Sequence, residues 1–144
     1  MLFRSRLARP IELIATSSAG RNDPFAYVAP FETNRMGERA LYIWMASQQP
    51  TPDPGPTLLA DGETVEMGEP LQGVEPAGLS KSPYALPAPW SLERYYRIDR
   101  AAVERLARAG SVELVVRDPE GGEVRYAADR AALAGLTEFL SRLE

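Results

Sequence analysis

"RALYIWMAS", residues 39–47, puts Leu41, Ile43 and Met45 on one side of an extended chain and Tyr42, Trp44 and Ala46 on the other. Successive side chains of a strand point to opposite faces. A run that is apolar on both faces must be covered on both, the pattern of a central strand. The stretch that follows at once, "QQPTPDPGPT" (48–57), carries four prolines and a glycine and has the composition of a domain linker. Read as a linker, it would leave the first 49 residues to fold alone with no cysteine or histidine to staple them, near the lower limit of about 40 residues for unaided folding. It would also leave the 39–47 strand without a helix, because the helical patterns all lie beyond residue 99. The stretch is therefore read as an excursion within one domain spanning 1–144, with Pro54-Gly55 suited to the central positions of a type II turn.

The C-terminal third supplies the cover. Tyr95 to Ile98 is a short β-prone run, and Asp99 stands where an N-cap should accept the free amides of a first helical turn. Ala102, Val103, Leu106 and Ala107 then recur at helical spacing, and Gly110 offers a left-handed stop. "SVELVVRDPEGGEVRYAAD" reads as a hairpin, with Val112, Leu114 and Val116 answered by Val124 and Tyr126 across a turn at Asp118 to Gly122. Asp129 is placed to cap a last helix whose Leu133, Leu136, Leu140 and Leu143 form one stripe, widened by Phe139.

Upstream, residues 11–16 ("IELIAT") form a second strand candidate, and Asp61-Gly62 in "TLLADGETVEM" is a two-residue hairpin signal. "NDPFAYVAPFETNRMG" reads as irregular because Pro24 and Pro30 interrupt it, with a turn from Asn34 to Gly37. The expected fold is thus α+β: a twisted antiparallel sheet of about five to seven short strands, two helices from the C-terminal third packed on it, and a long proline-rich loop.

Composition excludes several functions. Hydrophobic residues at 44% and charged residues at 25% are ordinary globular values. The apolar run Ala40 to Ala46 falls far short of the roughly 20 residues a membrane helix needs, so no membrane span is expected. Arg4, Arg6 and Arg9 precede a short apolar stretch that Glu12 interrupts, so the N-terminus reads as mature sequence rather than a secretory signal. The absence of cysteine and histidine removes thiolate chemistry, the commonest general base and the usual zinc ligands. The net charge is −4, with no basic stripe, which points away from nucleic acid.

No motif assigns a reaction, a cofactor or a metal. "DPEGGE" lacks the phosphate-loop pattern and leads into a strand. Ser80, Lys81 and Ser82 are neighbours in sequence on a loop, not a pre-organised nucleophile pair. The acids Asp61, Glu63, Glu66, Glu69 and Glu75 do not follow calcium-loop spacing and read as a solvated face able to steer a basic partner.

Attention falls instead on the loop. Nine of the thirteen prolines lie between residues 50 and 89, and 68–91 has no period at all. A compact domain rarely carries so long an irregular stretch without a use for it. "SPYALPAPWS" spaces Tyr84, Leu86 and Trp90 among prolines that stiffen the chain toward an extended form, so little entropy remains to be lost on meeting a partner. The other reading is that the aromatics pin the loop to the core. The expected partner-binding residues are Tyr84, Leu86 and Trp90 with Glu66, Glu69 and Glu75, and the expected role is a non-catalytic protein-binding or structural module of a bacterial protein, in the cytoplasm or the envelope. Two alternatives stand beside it. One is a cytosolic secretion-chaperone or immunity-type partner acting as a homodimer through the last helix. The other is a carboxylate-dependent hydrolase.

Overall fold

The computed structural model describes residues 3–17, 25–47, 56–68, 70–71, 84, 92–117 and 123–143. The strands are β1 (Phe3–Leu7), β2 (Ile11–Ser17), β3 (Phe25–Arg35), β4 (Glu38–Ser47), β5 (Thr57–Ala60), β6 (Glu63–Thr64) and β7 (Leu92–Ile98). After β7 come helix α1 (Arg100–Arg108), strands β8 (Ser111–Arg117) and β9 (Glu123–Asp129), and helix α2 (Ala134–Arg142). All strands join one curled antiparallel sheet in the order β6-β5-β8-β9-β2-β3-β4-β7, with β1 paired to β3 beyond β2. The α+β class is as expected, but the sheet has nine strands where about five to seven were expected.

The excess comes largely from β1 and β3, and proline chemistry explains it. In an antiparallel strand a residue's N–H and C=O point to the same neighbour. Pro30 O accepts from Ala8 N at 3.1 Å, so the N–H that proline lacks would have pointed to that side too. There the neighbouring strand is broken: β1 ends opposite Phe31 and β2 begins opposite Val28. On its other side Pro30 keeps its register with Ile43 of β4. A proline is thus accommodated inside a strand because its missing donor faces a gap, and the segment expected to be irregular is an eleven-residue strand.

Strand β4 lies between β3 and β7, the central position its sequence requires. Ile43 and Met45 enter the main core with both helices, where Leu58, Leu106, Leu114, Tyr126, Leu136 and Phe139 also meet. Tyr42, Trp44 and Ala46 enter a second cluster on the opposite face with Ala29, Phe31 and Tyr95, and Leu71 and Tyr84 pack against it. One face of β4 is covered by helices, the other by Leu71 and Tyr84 of the 68–91 segment.

Residues 65–71 tie the two ends of the sheet. Val65 N donates to Leu58 O at 2.8 Å, Gly68 N to Arg97 O at 2.7 Å and Leu71 N to Tyr95 O at 2.8 Å. The chain therefore bonds β5 at one end and β7 at the other, serving carbonyls that these edges would otherwise leave unpaired. A side chain at Gly68 would meet Arg97 O at 3.1 Å, so this approach favours glycine.

Local signals have mixed outcomes. Asp99 Oδ1 accepts from Ala102 N at 2.8 Å and caps α1. Asp61 and Gly62, at φ of 50° and 81°, form the expected β5–β6 turn. Asp129 does not cap α2. Its Oδ1 accepts from Ala132 N at 3.2 Å and so closes a turn before the helix, which starts at Ala134 with Leu133 at the N-cap. Gly110 is not the left-handed stop of α1, because positive-φ glycine occurs among the described residues only at Gly37 and Gly62. The helix instead ends in extended backbone at Ala109, and the Arg130 guanidinium donates to Ala107 O and, at 3.3 Å, to Ala109 O.

The β3–β4 turn yields a first prediction. Met36 and Gly37 sit at φ of 55° and 92°, the conformation of a two-residue turn that prefers Asn-Gly. Left-handed backbone costs an ordinary residue about 1 kcal/mol, and Met36 is 75% exposed with no packing to offset it. Met36→Asn is expected to raise stability by about 0.5–1 kcal/mol, read as a higher urea midpoint at unchanged slope.

Candidate functional site

The break between β1 and β2 leaves carbonyls that the ladder does not serve, and a side chain from the proline-rich segment comes to them. The Tyr84 hydroxyl donates to Ala8 O at 2.7 Å and lies 3.2 Å from Pro30 O. Its ring rests against Trp44 at 4.7 Å between centroids and meets Phe31 edge-on at 6.3 Å. Phe31 in turn stacks on Tyr42 and meets Tyr95 edge-on. Aromatic pairs in these arrangements add about 0.5–1.5 kcal/mol beyond the area they bury. Trp44 Nε1 and the Tyr95 hydroxyl both donate to the Glu93 carboxylate, at 3.2 and 3.1 Å. The polar groups of Tyr84, Trp44 and Tyr95 thus each have a partner.

Among the sequence-derived partner-binding residues, Tyr84 is therefore placed on the second core cluster, and Glu66 is exposed on the strap that ties the sheet ends. Glu69, Glu75, Leu86 and Trp90 lie outside the described residues, as do Ser80, Lys81 and Ser82. The apolar stripe of the last helix packs inward: Leu133, Leu136, Phe139 and Leu143 are buried in the main core and Leu140 packs against it.

Burial pushes the Tyr84 phenol pKa well above its ordinary 10.0. Tyr27 is raised as well, first by desolvation and then by the Glu12 carboxylate, to which it donates at 3.3 Å. A phenol whose folded pKa exceeds its unfolded one keeps its proton longer in the folded state, so its contribution is complete below the unfolded pKa and is lost as pH rises beyond it. Above about pH 10 the intact chain is expected to lose stability with rising pH more steeply than Tyr84→Phe, which lacks the linked proton. Urea midpoints of the two chains across that range check it.

A second feature was not signalled by the sequence. A cleft of about 300 Å³ opens at the helix-side end of the sheet, lined by Glu32, Leu41, Ile98 and Leu143 with Arg39, Arg97, Asp99 and Arg100 among its polar members. Glu32 follows Ala26 and Val28 at two-residue steps, so it sits on the face they bury. That alternation is the signal that could have found it, and reading 25–35 as irregular concealed it. Among the described residues no group of three or more acids is placed to hold a metal ion, and no helix is long and apolar enough to cross a membrane. Comparison with protein-family models, curated proteins and solved structures finds no match to this chain.

Proposed function

We propose that the chain is a non-catalytic protein-binding module of a bacterial protein, engaging its partner through the 68–91 segment and the acidic residues that precede it. The observation that carries this reading is the anchoring of that segment. Leu71 is bonded to β7 at its start, Tyr84 to the β1–β2 break within it, and Leu92 opens β7 at its end. Leu86 and Trp90 each stand two residues from an anchored position, so their ordering on contact costs less than it would on a free loop. Glu66, exposed just before the segment, adds charge that steers a basic partner. Tyr84 acts here by holding the segment rather than by meeting the partner.

The test separates holding from meeting. The intact chain and a Leu86→Ser, Trp90→Ser double variant that retains Tyr84 are compared as baits on soluble and membrane fractions of the source cells, with equal urea midpoints as the control. Retention of one protein by the intact chain, lost at least about tenfold in the variant, is the expected result. Equal retention by both chains rejects the segment as the interface.

The hydrolase reading has one observation in its favour, since Glu32 and Asp99 line a single cleft. Asp99 Oδ1, however, is engaged by the α1 amide. A homodimer through α2 would have to use exposed residues such as Thr137, Glu138 and Ser141, because its apolar stripe serves this chain's own core.

A further inference from the structure

The cleft at the end of the sheet holds one buried carboxylate, Glu32, that accepts no hydrogen bond from the described residues. Arg6, Glu32, Leu41 and Ile98 are successive register partners across β1, β3, β4 and β7, so all four project from the helix-side face. Glu32 is the acid in that row, and its side chain is only 8% exposed against 41% for Arg6. The two form a long ion pair at 3.9 Å, beyond hydrogen-bond range, so Arg6 offsets part of the charge without supplying a hydrogen bond. No described group donates a hydrogen bond to Glu32. A buried carboxylate in that condition is costly, and native structures rarely leave one without a donor from protein, water or ligand.

The cations around the cleft are mostly engaged. The Arg97 guanidinium lies over the Tyr42 ring at 5.5 Å, and Arg100 bonds Glu104 and Leu143 O. Arg39, exposed and two residues from Leu41 on the same face of β4, has no partner among the described residues. The cleft therefore offers one buried acceptor within, one open guanidinium at its mouth, and an apolar wall of Leu41, Ile98 and Leu143. A simple anion would leave Glu32 without a donor and set two negative charges together. A simple cation would satisfy Glu32 but meet Arg39, Arg97 and Arg100. A dipolar molecule satisfies both ends, because an ammonium brings three donors inward and a carboxylate accepts the planar guanidinium fork at the mouth.

We propose that this cleft binds a small zwitterion of the α-amino-acid class, its ammonium on Glu32, its carboxylate on Arg39 and its side chain against Leu41, Ile98 and Leu143. A volume of about 300 Å³ lies at the small end of ligand pockets, which suits a single amino acid rather than a larger ligand. The inference does not depend on the 68–91 segment.

The test titrates L-leucine, N-acetyl-leucine and leucinamide into the intact chain, followed by amide chemical shifts and calorimetry. Leucine is expected to shift the amides of residues 32, 39–41 and 97–100 saturably. N-acetyl-leucine, without the ammonium, and leucinamide, without the carboxylate, should each bind at least about tenfold more weakly, the loss of one charge-assisted hydrogen bond. In Glu32→Gln the preference for leucine over N-acetyl-leucine should disappear while the preference over leucinamide persists, and in Arg39→Gln the reverse should hold. Equal binding of N-acetyl-leucine or of leucinamide to the intact chain overturns the proposal, as does no saturable shift with leucine. The ligand series on the intact chain decides the matter even where a variant fails to fold.

Discussion

Trp44→Ala is expected to cost about 3–5 kcal/mol of stability, the range for emptying a large aromatic site in a core. Trp44 is 1% exposed, on the face of β4 turned away from the helices, and three other features rely on it. Its ring is the surface on which Tyr84 rests. Its Nε1–H is one of two aromatic donors to Glu93. Its position between Ala29 and Tyr95 in the register makes it the centre of the second cluster. Against the usual 5–15 kcal/mol for a whole domain, the loss is a large share. Urea unfolding followed by far-ultraviolet circular dichroism measures it, and the steeper alkaline decline assigned to Tyr84 should diminish in the same variant, because a looser site desolvates the phenol less. Trp44→Phe keeps most of the ring volume and should cost clearly less.

The same residue shows what was legible in the sequence. The 39–47 run demanded cover on both faces, and both covers exist: helices on one side, Tyr84 and Leu71 on the other. The β8–β9 pairing, the Asp99 cap and the Asp61-Gly62 turn follow from local chemistry and emerge as read, while the Asp118 to Gly122 connection and the Pro54-Gly55 turn lie outside the described residues. Most of the failures share a cause, since they depend on a distant partner. Pro30 is compatible with a strand only because its neighbour is broken at Ala8 to Pro10, a property of strand pairing and not of the residue. Asp129 has the composition of a cap, yet the chain turns once more before α2 begins. Gly110 gives way to an Arg130 guanidinium twenty residues along the chain. Glu32 became legible as a core-facing acid only once β3 was a strand.

Whether the two faces of β4 belong to one cooperative unit is decided by a second substitution on the opposite side. Phe139 is fully buried in the main core, where α2 reaches the inner face of the sheet, and Phe139→Ala is also expected to cost about 3–5 kcal/mol. The two sites share no cluster and lie on opposite faces of the sheet, so their costs should add to within about 0.5 kcal/mol if both act on one folded state. In a single cooperative unit either variant shifts the whole transition, and the far-ultraviolet signal and the near-ultraviolet signal of the aromatic cluster move together. The continuous sheet favours that outcome, since β3 and β4 contribute side chains to both clusters and the 65–71 strap joins the sheet's ends. Were Trp44→Ala to melt the aromatic signal first while Phe139→Ala moved both, the second face would be a separately opening layer. The anchored 68–91 segment would then be the part of the protein most easily released, and the binding reading built on its fixed anchors would fail with it.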